Sequence, residues 1–337
     1  MFVIRAFVTG STGLLGNNLV RLLLQEGFEV RALARSRNKA EAILGGTGAD
    51  IVVGDMNDID AFAPAMKGCD VLFHTAAYFR EAFAGRSNHW PMLQRINVDN
   101  TVRLFEQAQR HGVGKVIHTS SNAAIRKRSD GKASEESDVL LSSEAPTPYA
   151  RSKILGDKAI AEYAHKSQLP VTTVLPAWMF GPGDAAPTSS GKFVLDYMNR
   201  RLQGVFDSGF DVVDARDVAA AMLAAASRGK AGERYIIAAH HASLAELGQT
   251  LKLVTGVEEP KRSVSRPMIY AVAWLSETMA ALSGKETNLT VDSVRVLTGK
   301  LRTSSDKAKR ELGIQLRPLE ETLRDTAEWL RLNPLGV

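Results

Sequence analysis

Only one cysteine, Cys69, occurs in the 337 residues. That excludes an internal disulfide and fits a reducing compartment. With no evident histidine partner, Cys69 reads as a small buried or bystander residue. Long hydrophobic runs are missing too: no stretch reaches the roughly 18 uninterrupted apolar residues of a membrane span. The nearest approach, Met268 to Leu282, is broken by Ser276, Glu277 and Thr278. Charge of one sign is not clustered. The 42 basic residues are scattered among 37 acidic ones for a net +5, without the basic patch that a nucleic-acid partner requires. Arg126-Lys127-Arg128 is followed by Glu135, Glu136 and Asp138 and reads as a solvated, self-compensated loop. Met1 to Val8 lacks the basic region, apolar core and cleavage site of a signal peptide and reads as a strand. The expectation is a soluble cytoplasmic protein with no membrane span, no nucleic-acid partner and no metal site. A hydrophobic content of 45% is that of a globular chain, long enough for one large domain or two smaller ones.

What is present is an alternation. Short β-rich runs at Phe2–Val8, Glu29–Ala34, Asp50–Val53, Val71–His74, Lys115–Thr119 and Val171–Leu175 are separated by patterns of helical period. These lie at Leu14–Gln25, Asp58–Met66, Met92–His111 and Tyr149–Ser167. Strands this apolar are buried on both faces, so the fold class expected is α/β, a Rossmann-like doubly wound parallel sheet. After Pro176 the chain reads as loop-rich to residue 210, with turns at Gly181–Asp184 and Thr188–Gly191. Helical patterns follow at Asp217–Ser227, Ser243–Thr255, Pro267–Leu282 and Leu319–Leu332. The division expected is a dinucleotide-binding unit over 1–176 and a smaller, mostly helical substrate lobe over 177–337. Segments near 210–240 are expected to return to the first unit.

The stretch Val8-Thr9-Gly10-Ser11-Thr12-Gly13-Leu14-Leu15-Gly16 follows a strand and opens a helix. Glycines there permit a tight turn, close approach of a pyrophosphate and close helix–strand packing. The free amides of the helix start, with its positive dipole end, suit phosphates. Gly10, Thr12, Gly13, Leu14 and Gly16 are therefore candidate cofactor contacts. At the end of the second strand an acid would bind the ribose 2′-hydroxyl and repel a 2′-phosphate. Here Arg35 stands instead, with Arg37 and Lys39 as open helpers. An arginine fork suits a phosphate, so NADP is expected over NAD. Asp55 and Met56 after the third strand, Thr75, Ala76 and Ala77 after the fourth, and Pro176, Ala177 and Trp178 after the sixth extend the groove at strand carboxyl ends.

Tyr149 and Lys153 are four apart at the start of a helix and share a face. A nearby ammonium favours the phenolate, so the pair can exchange a proton with a carbonyl or alcohol oxygen as hydride moves to or from a nicotinamide. Ser120 and Ser121 close the fifth strand, where a hydroxyl could hold that oxygen. Tyr78, Phe79, Phe83, Trp178, Met179, Phe193 and Tyr197 make an apolar, aromatic outline for the substrate side, with Tyr78, Phe79, Trp178 and Met179 as its substrate contacts.

These motifs, with Asn97-Val98-Asp99-Asn100-Thr101, His118-Thr119-Ser120-Ser121, Leu175 to Pro182, Asp214 to Ala219 and Gly232 to Ile236, make the chain resemble an extended short-chain dehydrogenase/reductase of the NAD-dependent epimerase/dehydratase superfamily. Within it, the chain is similar to dihydroflavonol-reductase-like proteins and hopanoid-associated sugar epimerases. The resemblance implies Tyr149 as general acid/base, Lys153 as the group that lowers its pKa and holds the nicotinamide ribose, and Ser121 on the substrate oxygen. Ser120 is the fallback for the last role. It leaves Asn97 between a structural part and support of a water near Lys153. Many nucleotide-sugar epimerases of the family carry an arginine where this chain has Phe210, and losing that pyrophosphate partner puts a nucleotide sugar in doubt. A reductase of a ketone or aldehyde is the leading expectation. A sugar epimerase with tightly held cofactor is the alternative, and a non-catalytic dinucleotide-binding regulator comes last. A homodimer is left open. The apolar segment Arg266–Ser283, with few basic residues, is expected to pack beside the pocket or at an oligomer contact rather than on a membrane.

Overall fold

The computed structural model describes residues 3–79, 88–202, 204–260, 262–283, 287 and 289–333. Phe83 lies outside the described residues. Seven parallel strands form the central sheet: β1 (Arg5–Thr9), β2 (Glu29–Ala34), β3 (Asp50–Val53), β4 (Val71–His74), β5 (Lys115–Thr119), β6 (Val171–Pro176) and, late in the chain, β10 (Arg234–Ile237). Their order is β10-β6-β5-β4-β1-β2-β3. The first strand begins later than its composition suggests, at Arg5, with Val3 and Ile4 exposed before it.

The order reverses beside β1, where the connection to β2 leaves to one side and β4 pairs on the other. A crevice opens at the carboxyl ends of strands at such a point, and ligands of open α/β sheets bind there. Strand alternation divides the core between the two faces. Ala6 and Val8 face α1 (Leu14–Gln25) and α8 (Ala215–Arg228), whereas Phe7 faces the cluster that holds Phe62, Phe105 and Ile160. Alanines 215, 219, 221, 224 and 225 of α8 are buried, so that helix lies close against α1 and the sheet.

On the outer faces α2 (Arg37–Leu44) follows β2, and the helix expected over Asp58–Met66 is divided into α3 (Ile59–Phe62) and a 3₁₀ turn, Ala63–Met66, that contains Pro64. The helix expected over Met92–His111 is likewise interrupted. It runs as α4 (Trp90–Gln94), a π-helical turn at Arg95–Asp99 and α5 (Asn100–Arg110). Then α6 (Pro148–Ser167) starts on Thr147, whose hydroxyl accepts the Ala150 amide.

The second half is less helical than the sequence pattern suggests. A three-stranded sheet joins β7 (Trp178–Phe180), β9 (Phe210–Asp214) and β11 (His240–Ala242), and β8 (Val205–Phe206) pairs β12 (Ser263–Val264). The Thr188–Gly191 stretch, expected as a turn, instead opens α7 (Ser189–Met198). Asp184 decides this: its buried carboxylate accepts the Thr188 amide and hydroxyl at 2.8 and 2.7 Å. The same side chains that favour turns also favour helix starts. With α9 (Leu244–Thr255) and α13 (Leu319–Leu332), α7 encloses a second core around Phe180, Tyr197, Phe210, Leu247 and Leu323.

Helix α10 (Arg266–Ser283) packs Ile269, Ala273 and Ala280 inward, with Val294 of α11 (Val291–Thr298) against Ile269 and Ala273. Met268, Val272, Leu275 and Met279 are exposed on another face, as is Trp274. Tyr270 turns away from that exposed face, its hydroxyl 3.1 Å from the Thr298 hydroxyl. Between α11 and α13, α12 (Asp306–Leu312) packs on α8 and β10. No helix among the described residues is long and apolar enough to cross a membrane.

Candidate active site

The turn after β1 is held shut by its neighbours. Gly10 has φ +67°, and a Cβ there would lie 2.7 Å from both the Ala76 amide nitrogen and the Thr75 hydroxyl. A Cβ on Gly16 would lie 2.1 Å from the Gly10 carbonyl oxygen, so α1 can start this close to β1 only with glycine. Gly13 is different. A Cβ there would meet only the Gly10 oxygen, at an ordinary 3.4 Å, so protein packing does not demand a glycine. The free space faces the helix start, where no side chain caps α1 and its first turn carries no acid. An uncapped, open helix N-terminus fits a dinucleotide pyrophosphate.

Hydrogen bonds fasten this turn to two strands. Ser11 donates to the Leu33 carbonyl of β2 at 2.8 Å, and Thr75 donates to the Thr9 carbonyl at 2.7 Å. Buried His74 is locked in one tautomer. The Thr101 hydroxyl donates to Ile96 O, so it accepts from His74 Nε2 at 3.2 Å; Nδ1 is then bare and accepts from Thr9 Oγ1 at 2.7 Å. Burial, with Lys153 nearby, pushes His74 down to about 3, so it stays neutral.

Of the other expected cofactor contacts, Ala76 and exposed Ala77 stand beside the turn after β4. Asp55 is committed to its own loop, accepting the Asn57 amide and side chain at 2.7 and 2.8 Å. Met56 is buried in the core. Arg35 is exposed directly after β2 and pairs with no acid among the described residues. Arg37 is engaged, 3.9 Å from Glu41 and donating to the Ile51 carbonyl. Pro176 and Ala177 are buried at the end of β6.

Helix α6 brings Tyr149 and Lys153 under the end of β5. Lys153 is buried, and its Nζ donates to the Thr119 carbonyl at 3.0 Å and lies 5.9 Å from the centre of the Tyr149 ring. Tyr149 is half-buried, with Phe79 against its ring at 4.7 Å. Burial pushes the phenol up, and the side-chain hydrogen bond from Ser121 pulls it down without reversing the shift. Ser121 thus eases Tyr149 ionisation from one side, and Lys153 stands one helical turn along the same face. Burial also pushes Lys153 down to about 8, against the upward pull of Asp157.

The fallback serine, Ser120, points the other way and is buried toward Asp157. Asn97, set on the π-helical turn, donates to Tyr78 O and Ser152 Oγ and accepts the Tyr78 amide at 2.8 Å. Its side chain thus clamps the β4 loop to α6.

The aromatic outline is only partly assembled. Phe79 touches Tyr149, but Tyr78 turns its hydroxyl to His89 at 2.8 Å. Trp178 packs with Phe180 and Phe210 and donates to Ser189, while Met179, next on β7, packs toward the main-sheet core. Phe193 stands 5.9 Å from Trp178. Tyr197 does not join this outline. It is buried in the second core, donating to the Gly248 and Val257 carbonyls at 2.9 and 2.7 Å, because that core offers its hydroxyl two acceptors. Phe210 is likewise core. Among the described residues no three His, Cys, Asp or Glu side chains are grouped to hold a metal ion.

Residues 6–238 match the model of the NAD dependent epimerase/dehydratase family. The chain belongs to that family. It is an NAD(P)-dependent enzyme of the extended short-chain dehydrogenase/reductase superfamily. It is similar to a putative dihydroflavonol 4-reductase of Synechocystis, 33% identical over 96% of this chain and 94% of the relative. It is also similar to sterol demethylase protein B of Methylococcus capsulatus, 32% identical over 96% and 97% of the two chains. Among solved structures it superposes on gox2253 with a TM-score of 0.83 and 31% identity, covering 98% and 99% of the two chains.

Two features escaped the sequence pattern: the π-helical turn that aims Asn97, and the buried Asp157–Arg234 pair behind Lys153. Only the four-residue spacing from Lys153 to Asp157 was a legible sign of the second.

Proposed function

We propose that this enzyme is an NADP-dependent reductase of an apolar ketone or aldehyde, working in either direction, with Tyr149 as general acid/base. The observation that carries the reading is the convergence of Tyr149, Ser121 and Phe79 beside the carboxyl ends of β4 and β5, one turn of α6 before Lys153. When bound, the nicotinamide supplies or accepts the hydride. The glycine turn, with Thr12, Leu14, Thr75, Ala76 and Ala77, forms its dinucleotide cradle. Ser121 holds the substrate oxygen, Tyr149 gives that oxygen a proton or takes one, and Lys153 anchors the nicotinamide ribose. Pro176, Ala177 and Trp178 close the far end of the groove. Residues 177–337, apart from the return through α8 and β10, serve as the substrate lobe.

An apolar substrate is supported by Phe79 on Tyr149 and by Phe210, buried in the core where a pyrophosphate-binding arginine would need to reach the ligand. The names of the two relatives, a dihydroflavonol reductase and a sterol demethylase protein, speak of polycyclic compounds and point the same way. A panel of hydrophobic ketones and aldehydes followed by NADPH absorbance tests this. Stoichiometric NADPH consumption supports a reductase, and product formation without it supports an epimerase.

The preference for NADP is supported by Arg35, an exposed cation directly after β2 without an acidic partner among the described residues, since an arginine near that strand end suits a 2′-phosphate. NADPH is expected to bind more tightly than NADH, and Arg35→Asp to reverse or erase the difference, as fluorescence titration will show. Equal affinities in the unmutated protein would refute the assignment.

A further inference from the structure

Four buried polar side-chain atoms among the described residues, His118 Nδ1, Ser120 Oγ, Asp157 Oδ1 and Arg234 Nε, make no well-formed hydrogen bond, and the Ser120 hydroxyl meets Asp157 only loosely. They belong to one neighbourhood. Asp157 lies one helical turn after Lys153 on α6, its Oδ2 3.1 Å from Arg234 Nη2 and its Oδ1 4.0 Å from His118 Nε2. A buried polar atom without a good hydrogen bond pays its desolvation without return, so a group of four is costly as mere scaffolding. Apolar residues of similar volume would often hold such a place as well or better.

We propose that Asp157 is a positioning residue for the Tyr149–Lys153 pair: its carboxylate, anchored by Arg234, keeps the Lys153 ammonium charged and directed at the nicotinamide ribose. This rests on the reading above that Lys153 holds that ribose.

The groups facing Asp157 come from three elements. Arg234 reaches it from β10, His118 from β5, and Lys153 from its own helix. His74 of β4 stacks behind His118 at 5.4 Å, and Arg234 also donates to the Glu136 carbonyl. Burial holds both histidines neutral, so neither supplies lasting charge here. Asp157 is therefore the carboxylate that opposes the loss of the Lys153 proton. Burial alone would push Lys153 below its value of about 8, and the carboxylate pulls it back up. Burial pushes the Asp157 carboxyl up, and Arg234 opposes that rise without reversing it.

The test is the affinity of the full-length protein for NADPH, by fluorescence titration from pH 5 to pH 10, beside Lys153→Met. Unmutated protein is expected to lose affinity as the pH rises through about 8, and Lys153→Met to show no such fall. In Asp157→Asn the midpoint should drop by about one pH unit or more, the usual effect of a lost opposite charge. Asp157→Glu should keep the original midpoint. If Asp157→Asn fails to fold by circular dichroism, Asp157→Ser takes its place, and the glutamate variant still bears on the idea. An unmoved midpoint in the uncharged variants, or an equal drop in Asp157→Glu, overturns the role of Asp157 and leaves Lys153 as ribose anchor. A pH-dependent fall that survives in Lys153→Met removes that anchor, and the inference with it.

Discussion

Tyr149→Phe is expected to lower turnover by about two to four orders of magnitude, the range for a lost general acid/base, while NADPH affinity stays nearly unchanged. The hydroxyl is the only atom group removed, and the structure gives it little packing work. Its ring keeps Phe79 at 4.7 Å, and Lys153 keeps its bond to the Thr119 carbonyl. The loss should therefore fall on kcat rather than on cofactor binding or stability. Single-turnover reduction of the best carbonyl in the panel, measured beside NADPH titration, checks this. Near-normal turnover would mean that another group moves the proton. Ser121→Ala is the natural companion, since it removes a hydrogen bond that pulls the phenol down.

The other large effect is expected in the glycine turn, and it differs between neighbouring glycines. Gly16→Ala drives a methyl group to 2.1 Å from the Gly10 carbonyl oxygen. Backbone cannot step aside as a flexible side chain can, so α1 must part from β1. Overpacking of this kind costs about 1–3 kcal/mol, and because the amides that receive the pyrophosphate move with α1, dinucleotide binding should be lost as well. Gly13→Ala meets only an ordinary 3.4 Å contact. It should melt within a few degrees of the unmutated protein, since a cap change costs about 1 kcal/mol or less. Its methyl group would nevertheless occupy the ligand side of the turn. Losing even one charge-assisted amide bond there, about 1.5–3 kcal/mol, lowers NADPH affinity roughly tenfold to a hundredfold. Melting curves and NADPH titration of both variants separate the two roles. If Gly13→Ala binds as well as the unmutated protein, the pyrophosphate does not sit at this turn.

Several elements were legible because their signals are local. The expected bounds Leu14–Gln25, Val71–His74, Lys115–Thr119 and Leu319–Leu332 are those observed, since apolar period and flanking turn residues act within one element. Where long-range contacts compete, the pattern misled. Thr188 and Ser189 carry the residue types of a turn, yet Asp184 converts them into a helix start. The apolar run from Met92 looked like one continuous helix, yet Asn97 bonds Tyr78 and Ser152 from a π-helical turn.

The sequence by itself determined the alternation that makes a parallel sheet, the glycine spacing of the turn, and the shared helical face of Tyr149 and Lys153. Each depends on backbone geometry over a few residues, which spacing reports directly. Tertiary structure alone decided that Arg234–Ile237 is the seventh strand, pairing with β6. It also decided that Ser121 faces Tyr149 while Ser120 faces inward, since neighbours on a strand end point to opposite sides. Tyr197 went to the second core rather than the aromatic outline for a related reason. A side chain's surroundings come from segments far away in the chain, such as the Gly248 and Val257 carbonyls that accept the Tyr197 hydroxyl. Asp157 is the sharpest case: its partner Arg234 is 77 residues away, and only the closing of β10 onto β6 puts that charge behind Lys153.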